Sequence, residues 1–424
     1  MKGFRVFSLL VALLFISHTV FAGEIDLLVQ KLVEKGVLSA GEAQQIVTET
    51  KEEMKKEIAQ AKSDALPQWV QTMKLKGDFR LRYQYDHAKR LAADNQSPRN
   101  DQQRARIRTR LGLESKVNDK LKVGVGIATG TTADPRSTNI TLGSSSAKKS
   151  VVLDYAYAQY SPLSWATFVG GKFQNPLWEP SDLIWDTDIT PEGGAVKLTH
   201  DLNPNTQLFA NSGVLIIGEN SGDEADPTMY VVQTGLNQKF TDNISLKGAF
   251  SYYGFTGVKG KTLVGTAGTN SLSNGGLMYE YANITPAIEL SIKEPLKPLG
   301  INIPYLALFG EYVNNVNSEV LKNNTGYILG MKLGAEKVEK WGDWQAKYSY
   351  AVLEKDSILD ILPDSDRYGG KTGMRSHEFG IDWGLGKNTW LGIDYYNGWQ
   401  MKGNFGSTQS KPATVLQVDW NLKW

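Results

Sequence analysis

Two periodicities divide the chain. Between residues 24 and 65 apolar positions recur every three or four residues. Ile25, Leu28, Val29 and Leu32 line one face of a short helix, and Gly36 stands where helices commonly stop. Ser39, with Glu42 three residues on, makes a capping box for a second helix. That helix carries Ala43, Ile46, Val47, Thr50, Met54, Ile58 and Ala61 on a stripe narrow enough for a coiled-coil seam. Self-association, a packed helical hairpin and a largely solvated helix all fit the stripe. Pro67 closes the region.

From Leu75 the period changes to two. "KLKGDFRLRYQY" alternates Leu75, Phe79, Leu81, Tyr83 and Tyr85 with Asp78, Arg80, Arg82 and Gln84. Sixteen such segments are predicted: 75–86, 103–114, 120–130, 150–160, 165–174, 193–202, 206–217, 228–240, 243–256, 277–292, 301–316, 325–338, 343–356, 372–385, 388–400 and 411–424, with ambiguous alternation in 206–217 and 301–316. Short turns such as "SPLS", "NPN", "TDN" and "GKN" join each even strand to the next odd one. Long polar loops follow the odd strands, among them 87–102, 131–149, 175–192, 257–276 and 357–371. An even strand count with connections sorted in this way marks a transmembrane, antiparallel, up-and-down β-barrel. Closing the sheet leaves no unpaired edge, which strands in hydrocarbon require.

The first 22 residues fit this picture. Lys2 and Arg5 precede the apolar "FSLLVALLFI", and Val20 and Ala22 are the small residues a signal peptidase reads, so 1–22 is expected to be a secretory signal cleaved after Ala22. Residues 23–66 then form a helical, possible coiled-coil segment in the periplasm, and 67–424 the barrel in the bacterial outer membrane. The absence of cysteine excludes a lipoprotein anchor and a disulfide framework. The chain carries a net charge of +1, and about −1 once Lys2 and Arg5 are removed, so nucleic acid is not an expected partner.

One stretch runs against that neutrality. "QQRARIRTRLGLE" sets Arg104, Arg106, Arg108 and Arg110 at every second position, opposite Ala105, Ile107, Thr109 and Leu111. In a barrel the arginines must face the lumen, since each would cost roughly 2–4 kcal/mol against lipid near the midplane. If the first two strands pair across their loop, Arg80 and Arg82 are expected beside Arg110 and Arg108. The next strand presents Lys122, Gly124, Gly126 and Ala128 inward, leaving room for guanidinium groups to lean sideways. Such a wall would raise local anion concentration; a plain polar lining balanced by Asp78 and Glu114 is the alternative. The last strand, "TVLQVDWNLKW", places Trp420, Leu422 and Trp424 on its apolar face. An aromatic chain end resembles the signal read by the outer-membrane barrel assembly machinery, although phenylalanine is the usual last residue.

In order along the chain, "LVEKGVLSAGEAQQIV", "MKLKGDFRLRYQY", "WDTDITPEGGAV" and "GDWQAKYSYAVLEKDSIL" followed by "DSDRYGG" resemble the bacterial outer-membrane family of putative porins. The resemblance implies a sixteen-stranded diffusion channel for small hydrophilic solutes and ions, embedded in outer-membrane lipid and assembled as a homotrimer. It also implies that the third long loop folds into the barrel and narrows it. Glu179, Asp182, Asp186, Asp188 and Glu192 are then candidate constriction acids, anchored by Trp178, Ile184 and Trp185. Arginines outnumbering nearby strand acids would favour anions modestly.

Two other functions remain in competition. A structural barrel could be tethered through its helical segment to the cell wall or to a periplasmic partner. An enzyme barrel would need a histidine beside a serine or carboxylates. His87, His200 and His377 are scattered, so no catalytic residue is expected. No metal-ligand spacing or phosphate-cradling glycine loop is present, so neither a metal nor a cofactor is expected.

Overall fold

The computed structural model describes residues 29, 31–39, 41–50, 52–53, 67–88, 101–222, 225–401 and 412–424. The expected signal at 1–22 and the stripe positions Met54, Ile58 and Ala61 lie outside the described residues. Two compact units divide the chain, Met1–Thr72 and Met73–Trp424.

In the first unit the capping box forms. The Ser39 hydroxyl donates to Glu42 Oε2 at 2.7 Å, and Glu42 N donates back to Ser39 Oγ at 3.3 Å. Gly36, at φ +68°, ends the preceding helix, and Val37 N donates to Leu32 O at 3.0 Å across the left-handed residue. Ala43, Val47 and Thr50 are the shielded positions of the second helix, whereas Ile46 is exposed. Pro67 opens a further turn, Gln68–Gln71, and so does more than end the region.

The second unit is a closed antiparallel barrel. Its strands are β1 (Lys74–Ala88), β2 (Gln102–Lys116), β3 (Leu121–Thr129), β4 (Val151–Leu163), β5 (Ala166–Lys172), β6 (Glu192–Asn203), β7 (Thr206–Ile216) and β8 (Thr228–Lys239). They continue as β9 (Ile244–Thr256), β10 (Ala282–Lys293), β11 (Tyr305–Asn315), β12 (Thr325–Gly334), β13 (Trp344–Leu353), β14 (Met374–Gly386), β15 (Thr389–Gln400) and β16 (Pro412–Lys423). Each pairs with its sequence neighbours, and β1 pairs with β16 to close the ring. Among the described residues, three two-residue strands lie in the long loops.

Two strand starts differ from the periodicity. β10 begins at Ala282, because Glu280 is held in the preceding loop by the backbone amides of Gly257, Val258 and Lys259. β11 begins at Tyr305, after a 3-10 turn at Lys297–Leu299 that ends on left-handed Gly300.

The outward face carries two aromatic girdles, as a barrel in a bilayer requires. Trp165, Trp341, Trp383 and Trp420 are exposed toward the short-turn end, and Tyr230, Tyr252, Tyr312 and Tyr327 toward the loop end.

Candidate functional site: a charged lumen narrowed by two infolded loops

Alternation sends the arginines of β1 and β2 inward, with Leu81, Tyr83 and Leu111 exposed on the other face. Their register is one pair away from expectation. Arg80 faces Arg108, Arg82 faces Arg106, Gln84 faces Arg104, and Asp78 rather than an arginine faces Arg110. That offset interleaves carboxylates with guanidiniums. Asp78 takes Arg108 at 2.9 Å and Arg110 at 2.7 Å, and Asp86 takes Arg104 at 2.6 Å. On the far side Asp419 of β16 takes Arg82 at 2.8 Å and Arg80 at 3.2 Å. Arg106 donates to Gln84 Oε1 and to the Asn139 carbonyl.

The expected space beside the ladder is already filled. Gly124, Gly126 and Ala128 do face inward, but the rings of Tyr155 and Tyr157 from β4 lie across the glycines and Gly112, where any Cβ would collide with them. Tyr157 Oη donates to Glu114 at 3.0 Å. The guanidiniums therefore turn to the acids of β1 and β16 and of the infolded loops, and not over β3.

The loop between β5 and β6, residues 173–191, folds into the barrel as the resemblance implied. Leu183, Ile184 and Trp185 are at most 3% exposed, in one apolar cluster with Tyr253, Phe309 and Leu353 of the wall. Trp178 exchanges two hydrogen bonds of 2.8 Å with Gln233 of β8. Glu179 accepts from the Tyr253 hydroxyl at 2.7 Å, and Ser181 donates to Glu311 of β11. Burial, with the neighbouring Glu311 charge, pushes the Glu179 carboxyl well above its ordinary range. Asp188 reaches the ladder, at 3.2 Å from Arg110 and 3.9 Å from Arg108. Glu192 does not belong to this group. It is the first residue of β6, on the face of Val196 and Leu198, and pairs with Lys172 at 3.0 Å. Alternation from the inward Ala195 turns it out of the lumen.

The loop between β13 and β14, residues 354–373, was expected among the outer polar loops. It too lies inside. Ile358, Leu359, Ile361 and Leu362 join the apolar cluster, and Asp356 and Asp360 are buried. Asp360 accepts from Thr269 N at 2.6 Å, Thr269 Oγ1 at 3.0 Å, Thr266 Oγ1 at 2.7 Å and Asn270 N at 3.3 Å. Asp356 accepts from Ser271 N and Oγ, both at 2.7 Å, and from the Tyr281 hydroxyl at 3.1 Å. These partners all lie on the loop between β9 and β10. Arg136, from the loop after β3, donates to the carbonyls of Asp360 and Gly370. Arg367 enters the wall to meet Glu378, Ser349 and Ser376.

The two infolded loops meet. Asp186 N donates to Leu362 O at 2.7 Å, and Ser365 N donates to Asp186 Oδ2 at 2.9 Å. Burial and the adjacent Asp188 charge push the Asp186 carboxyl up to about 8. Burial and the charges of Asp182 and Asp186 hold Asp364 well above its usual range. Asp366 is the contrast. Burial would raise it as well, but the Arg82 guanidinium at 2.9 Å outweighs that and holds it at about 2. Between the loops, the ladder and the inner faces of β12 to β16 a polar cavity of about 360 Å³ remains, fronted by Arg80, Arg82 and Arg108.

The terminal aromatic residues sit on the outer wall. Trp420 is exposed beside Leu81 and Leu391, Leu422 pairs with Phe79, and Trp424 exchanges 3.1 Å backbone hydrogen bonds with Gly77. His377 is turned outward among Tyr348, Tyr350 and Trp399, and His87 lies 2.5 Å from Asp101. Among the described residues no group of three or more His, Cys, Asp or Glu is arranged to hold a metal ion.

Among solved structures, OprB of Pseudomonas putida is similar, at 10% identity and a TM-score of 0.54, covering 84% of this chain and 95% of its own. OmpF of Salmonella typhi, solved with daunomycin, follows at 12% identity and 0.44, covering 82% and 97%. A porin of Rhodopseudomonas blastica stands at 10% and 0.43, covering 83% and 100%. No curated protein matches the sequence. Residues 86–286 and 277–424 match the family described as Putative porin, which spans nearly the whole barrel. The chain belongs to that family, and with its closed sixteen-stranded wall it is a β-barrel porin.

Proposed function

We propose that the protein is an outer-membrane channel through which small hydrophilic solutes and ions diffuse, assembled as a homotrimer. The observation that carries this reading is the polar cavity inside the barrel, bounded by fixed charges on both wall and loops. Arg80, Arg82, Arg108, Arg136, Lys332 and Lys347 line it, against Asp182, Asp186, Asp188, Asp364, Asp366, Asp382, Asp394 and Asp419. Six cations thus face eight carboxyls, of which Asp186 is pushed up to about 8 and Asp364 is raised as well, so the two signs come near balance. The modest anion preference that the arginines alone would give therefore becomes a weak one.

Single-channel recording of the purified protein in a planar bilayer tests this. Arg108→Gln with Arg110→Gln should move the reversal potential in a salt gradient toward cations. The shift should shrink in high salt, where the Debye length falls to about 3 Å at 1 M. Unchanged reversal at low salt would make the ladder lining and not filter.

Two further roles belong to the same proposal. Trp420, Leu422 and Trp424 serve the barrel assembly machinery as an entry signal, so deleting Trp424 should lower the membrane-inserted, heat-modifiable fraction; undiminished insertion speaks against it. The helical segment supports the trimer through its Ala43 stripe, and a truncated protein that stays an equally stable trimer speaks against that.

A further inference from the structure

The lumen holds its positive charges in two different ways. The ladder arginines Arg80, Arg82, Arg104, Arg108 and Arg110 are each bound to a carboxylate, so each presents an ion pair with little net charge. Three lysines are held over aromatic rings instead. Lys122 of β3 stands 5.6 Å from the centre of the Tyr157 ring, and Lys332 of β12 stands 5.3 Å from that of Phe309. Lys247 of β9 shares two rings, at 5.2 Å from Phe209 and 4.9 Å from Trp178 of the first infolded loop. Each wall ring lies over a glycine of the adjoining strand. A Cβ on Gly124, Gly235 or Gly330 would come to 2.6 Å from Tyr157, 2.1 Å from Phe209 or 2.3 Å from Phe309. The glycine thus seats the ring, and the ring seats the ammonium.

All three lysines lie in the half of their strand nearer the short turns, and all face the lumen. Lys332 lines the cavity, Lys247 alternates with buried Ser251 and Tyr253, and Lys122 alternates with inward Gly124. Spread over β3, β9 and β12, they stand apart around the ring and not on one wall. The acids near them are bound elsewhere or stand off. Glu114 beside Lys122 is bound to Lys76, and Glu378 is bound to Lys347, the residue opposite Lys332. Glu289 stands opposite Lys247 in register without closing to an ion pair. Among the described residues none of the three ammonium groups makes an ion pair or a hydrogen bond. An aromatic ring attracts a cation through its quadrupole but carries no charge, so the whole positive charge stays available to a passing ion. We infer that Lys122, Lys247 and Lys332 form a cationic collar at the short-turn end of the lumen, which selects small anions such as chloride, phosphate and carboxylates more than the arginine ladder does. This rests on the channel reading.

The test uses the purified full-length protein in a planar bilayer under a low-salt potassium chloride gradient. Lys122→Gln, Lys247→Gln and Lys332→Gln together should lower the chloride-to-potassium permeability ratio at least about twofold, and by more than Arg108→Gln with Arg110→Gln lowers it. Arginine at the same three positions keeps the charge and should keep the ratio. Tripolyphosphate, added to one compartment at a time, should block a single wild-type channel more readily from one side, because the collar occupies one mouth. If the glutamine variant fails to insert, that one-sided block decides alone. A conducting wild type blocked equally from both sides overturns the collar and leaves the channel reading standing. So does a glutamine variant whose ratio is unchanged or moves no further than that of the arginine pair. An inserted wild-type barrel that passes no current overturns both.

Discussion

The two infolded loops reach the same place by different attachments. Residues 173–191 hang from the wall: Trp178 on Gln233, Glu179 on Tyr253 and Ser181 on Glu311 all bridge loop to strand. Residues 354–373 hang chiefly from other loops, through Asp356 and Asp360 to 266–281 and through Arg136. A wall-anchored loop shares the rigidity of the sheet. A loop held largely by other loops, with Arg367, Asn283 and Asn315 as its ties to the wall, can loosen more readily, because local stability follows its own contacts.

The largest expected effect breaks the second attachment. Asp356→Ala with Asp360→Ala removes the acceptor of seven hydrogen bonds in the loop layer. Single-channel conductance should rise at least about twofold as residues 354–373 withdraw, with the heat-modifiable barrel retained. Conductance equal to wild type would mean that Arg367 and the apolar cluster hold the loop unaided.

A smaller effect sharpens the seam between the loops. Asp186, pushed up to about 8, is neutral below that pH and negative above it. Raising the pH from about 6 to about 9 should move the reversal potential toward cations. Asp186→Asn should remove much of the movement, while Glu192→Gln, turned away from the lumen, should leave it intact. A pH shift that survives Asp186→Asn would assign it to other carboxyls.

Strand periodicity made the barrel legible, with most ends placed within two residues, because inward and outward faces meet opposite solvents at every second residue. The infolding of 173–191 came from resemblance, although its Trp178, Ile184 and Trp185 are the kind of anchors that burial leaves. The second loop was missed on its polar residues, yet "SILDIL" holds four aliphatic residues that an outer loop has no use for. Its acids look solvated in sequence because their partners lie some 75 to 94 residues away in another loop. Glu192 shows the converse limit: one residue decides between loop and strand, and strand parity then decides the side.

The pair between Arg82 and Asp419 has a consequence for how the ring is made. These residues stand 337 positions apart, on the two strands that meet only when the cylinder shuts. Bringing chain ends together over that length costs about 5 kcal/mol in loop entropy. The two free edges must therefore recognise each other as well as find each other. Nε and Nη2 of Arg82 meet the two Asp419 oxygens at 2.8 Å each. A slip of one residue would turn Asp419 and Asn421 to the hydrocarbon side, and a slip of two would part the fork from its carboxylate. The seam thus carries its own proofreading mark, legible only to the correctly aligned edge.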